Sequence, residues 1–366
     1  MMTIREYEKI FRADCPQFDE LIKFAAASDF LSAGWNYIQA KNYVGVIKFP
    51  SGFQIEILPK IDGDEQNLRG LVVKMIQALK NFSGKKFLNA DLDTAKQDLY
   101  EIFIRIYLEM VADLVKRGLK SSYTLREENL KFFKGKLLVN ENLRRNFAHK
   151  EKFFVSCDEY SLNRPENRLI KAALFKLRQN KLARRLLTEF DSVEVSRNYR
   201  KDFAEIFIDK TNKEYRAVMN WTEIFLRGEN FTPFNGKTAA LAILFPMEKL
   251  FEAYVAVHIK KYFSEKFSVK IQAQEKFLFE EPRSFGLKPD IILEGDEIII
   301  LDTKWKFEIS SADMYQMFAY AKKYGTKKIF LLYPPTENIL YGAEDFQVQV
   351  VGVNLFDMQN LRYLIK

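Results

Sequence analysis

The stretch Lys288-Pro289-Asp290-Ile291-Ile292-Leu293-Glu294-Gly295-Asp296-Glu297-Ile298-Ile299-Ile300-Leu301-Asp302-Thr303-Lys304-Trp305-Lys306 constrains the fold of this chain more than any other. Residues 291–293 and 298–301 are wholly apolar and rich in β-branched side chains, the pattern of strands buried on both faces. Glu294-Gly295-Asp296-Glu297 between them reads as a hairpin turn, so the two strands should pair antiparallel. Asp290, at the start of one strand, then lies close to Asp302, at the end of the other. Side chains at i and i+2 share a strand face, which sets Lys304 beside Asp302.

Two carboxylates converging at the rim of an apolar sheet repel each other unless a cation joins them. Mg2+ suits them, because it takes oxygen ligands and keeps several exchangeable waters; the carbonyl of Thr303 offers a further oxygen. A lysine beside such an ion orients or deprotonates an attacking water, or stabilises the charge that gathers on a phosphate. Together these parts hydrolyse a phosphodiester without a histidine. The plainer alternative makes Asp290 and Asp302 strand-end caps and Lys304 a solvated residue.

The remainder of the chain narrows the chemistry by what it lacks. Cys15 and Cys157 are the only cysteines, and His149 and His258 the only histidines. A zinc site needs about four N/S ligands at close spacing, and neither histidine stands near a GxSxG nucleophile elbow. Asn235-Gly236-Lys237-Thr238 looks like the end of a P-loop, but the glycine required five residues before Gly236 is Phe231, so the phosphate cradle is missing. The strand at 298–302 mimics a Walker B segment with no Walker A to serve. An intrinsic NTPase is therefore rejected, and any nucleotide hydrolysis belongs to another subunit.

A net charge of +8 and a pI near 9.1 suit a polyanionic partner. Between Lys116 and Lys152 eleven Lys and Arg face four Glu, so nearly all of the excess falls in one stretch. The N-terminus is charged from the start, and no apolar run approaches the roughly 20 residues that span a bilayer. These features predict a cytoplasmic protein that does not enter a membrane.

Hydrophobic periodicity divides the chain into three parts. Residues 1–95 form a mixed α/β domain, with a β-hairpin at 43–49 and 54–58 around Pro50-Ser51-Gly52, followed by a helix over 64–82. Residues 96–235 are helical, beginning with a helix at 98–117. A β-rich basic finger projects from this region at about 123–160, and a helix at 168–180 follows the start signal Asn163-Arg164-Pro165. The pattern breaks at Phe231-Thr232-Pro233-Phe234-Asn235-Gly236. Residues 236–366 then carry a long helix at 248–262, several strands, a helix at 312–324 and a final strand at 328–333, an α/β domain.

Pro289-Asp290 followed by Asp302-Thr303-Lys304 resembles the PD-(D/E)XK nuclease motif. Glu252 sits on a helix where many such nucleases place an extra metal-binding glutamate. Gln316 and Tyr320 match the QxxxY helix of the RecB-like branch, and their i, i+4 spacing puts them on one helix face, toward substrate or Lys304. Tyr315, Phe318 and Tyr320 read equally as core residues.

The whole chain is similar to the McrC family, the nuclease subunits of McrBC-type, modification-dependent (5-methylcytosine) restriction systems. The blocks that carry this are Asn42-Tyr43-Val44-Gly45-Val46-Ile47, Ile55-Glu56-Ile57-Leu58-Pro59-Lys60-Ile61, Asn167-Arg168-Leu169-Ile170-Lys171-Ala172-Ala173-Leu174, residues 247–252, and Asp302-Thr303-Lys304-Trp305. The resemblance implies an α+β chain ending in a restriction-endonuclease-like α/β domain that cuts double-stranded, modified DNA with Mg2+ held by Glu252, Asp290, Asp302 and Thr303. It also implies an AAA+ GTPase partner, a hexameric ring like McrB, whose pore the finger enters and whose GTPase it stimulates. Arg144, Arg145 and Asn146 would then form the finger tip, with Asn163, Arg164 and Arg168 near its base; alternatively these basic residues contact DNA phosphates or water. Two other readings stand beside this one: a nuclease-fold adaptor that couples a motor to DNA, and a stand-alone RecB-like nuclease.

Overall fold

The computed structural model of the chain describes residues 1–79, 97–210, 212–227 and 240–365. It begins with Met2–Arg5 (β1), Lys9–Phe11 (β2), the helix Phe18–Ala26 (α1), Leu31–Ala33 (β3) and Tyr37–Ala40 (β4). Strands β2, β4 and β3 make a small antiparallel sheet, onto which α1 packs Phe18, Leu21 and Phe24. Tyr43–Lys48 (β5) and Gln54–Leu58 (β6) are the expected hairpin, paired from Lys48↔Gln54 to Gly45↔Ile57. Its turn depends on Gly52, whose φ of +86° suits glycine. Strand β1 pairs parallel to β6.

Glu65–Ala78 (α2) starts at Asp64, whose carboxylate caps the Asn67 amide at 2.8 Å. One turn in, Arg69 reaches the fully buried Glu56 of β6, with Nε 3.0 Å and Nη2 2.7 Å from the carboxylate. The Leu99 amide adds a third bond to Glu56 at 2.8 Å. A buried charge is tolerated when it is paired and hydrogen-bonded in this way. Leu99 opens the helix Leu99–Arg117 (α3), whose stripe of Leu99, Ile102, Phe103, Ile106, Met110 and Leu114 is buried as its periodicity predicts.

Next come Ser122–Leu130 (β7), Lys136–Leu137 (β8), Val139–Arg145 (α4), Phe153–Ser161 (β9), Pro165–Lys176 (α5), Lys181–Thr188 (α6), Tyr199–Ala204 (α7) and Tyr215–Arg227 (α8). The expected extended segment is a long antiparallel ribbon of β7 and β9, in register from Ser122↔Ser161 to Leu130↔Phe153, with β8 on the far edge of β9. Aromatic and aliphatic side chains such as Leu125, Phe132, Phe133 and Phe147 stand exposed along it. Proline occupies the first turn of α5, and that helix stops at Lys176, short of the expected Asn180.

The last part runs through Leu241–Pro246 (β10), Met247–Phe263 (α9), Ser268–Ile271 (β11), Lys276–Glu280 (β12), Arg283–Leu287 (β13), Ile291–Glu294 (β14), Ile298–Thr303 (β15), Ser311–Tyr324 (α10), Lys328–Tyr333 (β16), Ile339–Gly342 (β17) and Gln347–Gly352 (β18). Six strands form one mixed sheet in the order β11-β14-β15-β16-β18-β17, in which β15, β16 and β18 are parallel. Helix α10 covers one face, burying Met317 and Tyr320 with Ile292, Ile300, Leu331 and Val350. A Ser310–Asp313 capping box starts α10, and Gly325 at φ +66° ends it. Lys328–Tyr333 is thus not the final strand. Strand β18 does alternate, but β17 is exposed along its whole length and carries no buried-strand pattern.

The three expected domains correspond to two compact units, Met1–Ile102 with Gly228–Lys366, and Phe103–Arg227. The first and last parts join because β10 pairs with β5, from Leu241↔Lys48 to Pro246↔Tyr43, extending the hairpin into a four-stranded sheet β1-β6-β5-β10. Gly45 permits this approach: its φ is +135°, and a Cβ there would lie 2.0 Å from the Ile243 carbonyl oxygen. The expected boundary at 231–236 lies outside the described residues. Among the described residues no helix is long and apolar enough to cross a membrane.

Candidate active site

The β14–β15 register of Ile291↔Leu301 brings Asp290 and Asp302 to adjacent positions at one end of the six-stranded sheet, as the hairpin reading requires. Asp290 Oδ2 accepts two bonds, from the Thr303 amide and from the Thr303 hydroxyl, each 2.7 Å long. Asp302 is buried, and its Oδ2 accepts no well-angled hydrogen bond, although Lys304 Nζ stands 2.5 Å away. The Lys304 amide donates to the Leu332 carbonyl at 2.9 Å, which fixes the backbone from which that side chain leaves.

Helix α10 completes the arrangement from the other side. Lys304 Nζ donates to Gln316 Oε1 at 2.9 Å, and Gln316 Nε2 donates to the Tyr320 hydroxyl at 2.8 Å. The i, i+4 pair therefore acts as a line: buried Tyr320 holds Gln316, and Gln316 holds Lys304 against Asp302. Tyr320 belongs to the core and reaches the site only through its hydroxyl. Burial, then the nearby Asp302, pushes its ionisation upward.

Asp302 is pushed up to about 7, first by burial and next by the charge of Asp290; Lys304 and the Asp290 backbone pull the other way. Glu252 on α9 is also raised, by burial and then by Asp290. It does not join the aspartates as expected. Its carboxylate accepts a hydrogen bond from Gln272 Nε2, and the Gln272 Oε1 accepts one from Lys288 Nζ at 3.2 Å. Among the described residues no three Asp, Glu, His or Cys side chains cluster closely enough to hold a metal ion between them. Asp290 and Asp302 nevertheless fit Mg2+, which commonly takes one or two carboxylates and fills its remaining positions with water. The buried Oδ2 of Asp302, met by the Lys304 ammonium but by no well-angled hydrogen bond, is the atom that such an ion would satisfy.

Three participants were not singled out from sequence. Lys288 lies within the informative stretch, two residues before Asp290. Gln272 has no sequence signal. The third, Glu6, is buried and accepts from the Trp305 indole N–H, 3.2 Å from both of its oxygens, and from the Lys60 amide at 3.2 Å. Trp305 directly follows Lys304 and packs on Phe251 at a ring separation of 5.4 Å, while Phe251 directly precedes Glu252.

The other expected contact residues lie in the unit Phe103–Arg227. Arg144 and Arg145 are exposed on α4 and pair with Glu141 at 3.6 and 3.0 Å. Asn146, expected at an exposed tip beside them, is buried instead. Its amide bonds Asn129 and Asn142, each at 2.8 Å, and so ties α4 to the ribbon. Arg164 and Arg168 are mostly buried in ion pairs with Glu166 at 2.8 Å and Asp202 at 2.6 Å. Asn163 accepts from the Glu194 amide at 3.0 Å. These three brace the loop and helix that follow the ribbon. The P-loop-like Asn235-Gly236-Lys237-Thr238 lies outside the described residues.

This geometry can be set beside known proteins. One chain from the refined half-complex of the tetradecameric assembly of Thermococcus gammatolerans McrB AAA+ hexamers with bound McrC superposes with a TM-score of 0.72, at 18% identity, over 100% of both chains. A chain from the cryo-EM structure of the Thermococcus gammatolerans McrBC complex gives a TM-score of 0.55 at 19% identity, over 76% of this chain and 89% of that one. At these identities the likeness is one of fold. No curated protein matches the chain. The model of the McrBC 5-methylcytosine restriction system component family matches residues 38–334, most of the chain, and the protein belongs to that family.

Proposed function

We propose that the chain is the Mg2+-dependent DNA endonuclease subunit of a McrBC-like restriction system, with a C-terminal PD-(D/E)XK nuclease domain. The observation that carries this reading is the convergence of Asp290, Asp302 and Lys304 at one sheet end, with the buried Asp302 Oδ2 facing the Lys304 ammonium. Asp290 and Asp302 would hold the ion, with the Thr303 carbonyl as a further oxygen. When bound, Mg2+ supplies counter-charge to the phosphate and lowers the proton affinity of a water.

The chain's own residues do the rest. Thr303 fixes Asp290 by two bonds to one oxygen and leaves the other for the ion. Gln316 and Asp302 hold Lys304 so that Nζ meets the phosphate oxygen on which charge accumulates. Water adds to phosphorus and releases a proton to solvent, the bond from phosphorus to the departing ester oxygen breaks, and that oxygen takes up a proton from solvent. Glu252 sits behind this centre, held by Gln272.

The partner in this reading is an AAA+ ring of the kind named for the similar structures, McrB hexamers with bound McrC. The basic segment that joins β7 to β9, with Lys131, Lys134, Lys136 and the exposed Arg144 and Arg145, is the surface offered to it. An adaptor that only couples a motor to DNA has no need for a buried carboxylate facing a lysine. The test is cleavage of methylated duplex DNA with Mg2+, with and without the ring-forming partner and GTP, in wild type and Asp302→Ala. Cleavage that requires the partner and falls below detection in Asp302→Ala is expected. Cleavage that survives the substitution would overturn the site, and cleavage without partner or nucleotide would favour a stand-alone nuclease.

A further inference from the structure

Gln272 follows β11 directly with a left-handed backbone. Strand β11 runs antiparallel to β14 as far as Ile271↔Ile291, and the Gln272 amide extends the ladder to the Asp290 carbonyl at 2.8 Å. Gln272 thus lies across from Asp290, on the side away from Asp302. Its φ is +51°, in the left-handed region that disfavours a residue with a Cβ. Both Gln272 and Lys288 are exposed, so water alone would satisfy their polar groups. The strained backbone instead directs the side-chain amide between two charges: Nε2 donates to Glu252 Oε1, and Oε1 accepts from Lys288 Nζ. Of the three, Glu252 is the group that needs the contact. It is partly buried, whereas Gln272 and Lys288 stand in water. Strain retained at one residue to serve a neighbour is a mark of a functional site.

We propose that Gln272 is a positioning residue that fixes Glu252 at the Asp290 end of the sheet, where the glutamate accepts hydrogen bonds from the water shell of the divalent cation. The inference rests on the metal-dependent nuclease reading. It assigns Glu252 to the outer shell, in keeping with its separation from the two aspartates, and makes Gln272 the residue that sets its orientation.

Two variants separate positioning from folding. Gln272→Asn keeps a residue that tolerates left-handed backbone but is one methylene too short to bridge the charges. Gln272→Gly relieves the backbone and removes the amide. The readout is Mn2+ affinity of the full-length, DNA-free chain by electron paramagnetic resonance, alongside thermal melting. Loss of an outer-shell partner weakens metal binding about 10-fold or more. Both variants should show this, with an unchanged melting midpoint for Gln272→Asn and an unchanged or higher one for Gln272→Gly. Cleavage by the assembled complex should show a raised Mg2+ requirement with little change in rate at saturating Mg2+. Wild-type Mn2+ affinity in both variants would overturn the inference and leave the nuclease reading standing. A fall in affinity that tracks a fall in melting midpoint would reduce Gln272 to a structural residue. A wild-type chain that binds no Mn2+, or binds it equally after Asp302→Ala, would remove both.

Discussion

Replacing Glu6 with glutamine should stabilise the protein at alkaline pH and leave it almost unchanged in acid. Glu6 is 1% exposed, and burial raises its pKa from 4.5 to about 8 against the opposing bonds from Lys60 and Trp305. Below pH 4.5 the carboxyl is protonated in both folded and unfolded chains, so it contributes no pH dependence. Between 4.5 and about 8 the unfolded chain releases the proton while the folded chain keeps it, and stability falls as pH rises. Each pH unit in this window costs about 1.4 kcal/mol, or roughly 5 kcal/mol across it. Glutamine reproduces the neutral acid: its single carbonyl oxygen, placed where Oε2 stands, accepts from both Trp305 and Lys60. Urea unfolding at pH 5, 7 and 9, read by Trp305 fluorescence after Trp35→Phe and Trp221→Phe in both backgrounds, isolates the difference. The variant should match wild type within about 1 kcal/mol at pH 5 and exceed it by several kcal/mol at pH 9. Parallel stability curves across this range would show that Glu6 does not retain its proton.

Removing Gln316 as Gln316→Ala leaves Lys304 Nζ with Asp302 alone, and should lower the rate at saturating Mg2+ by about 10- to 100-fold with unaltered DNA binding, measured by single-turnover cleavage and filter binding. An unchanged rate would detach α10 from the chemistry. Arg69→Met strands the fully buried Glu56 carboxylate and should cost about 3–5 kcal/mol in urea unfolding. The companion Glu56→Leu/Arg69→Met should recover most of that loss, and a loss below about 1 kcal/mol in the single variant would mean the pair is not buried in solution.

Local patterns were legible in the sequence to the extent that one segment contains both halves of an interaction. The β5–β6 and β14–β15 hairpins carry their turns within them, so the pairing of Asp290 with Asp302 and the placement of Lys304 follow from the local pattern. Gln316 and Tyr320 were legible as one helix face, though not as a line in which a core tyrosine holds the glutamine that holds the lysine. Asn146 misled because its neighbours in sequence are arginines; Asn142 lies one turn back on the same helix, but Asn129 becomes a partner only when the ribbon closes over α4.

What could not be read depends on register between distant segments. Nothing near Leu241 announces that it will pair with Lys48, and nothing near Glu6 announces Trp305. These long-range joins share a consequence. The β10–β5 pairing leads directly into α9, which carries Phe251 and Glu252, and Trp305 packs on Phe251 while donating to Glu6. The residue after Lys304 and the residue before Glu252 are therefore held by one contact, and that contact is anchored on the N-terminal strand region. Damage at Glu6 reaches Lys304 and Glu252 together, whereas damage at Gln272 reaches Glu252 and Lys288 but not Lys304. A change in metal affinity without a change in the lysine-dependent rate thus points to β11, and a loss of both points to the N-terminal anchor.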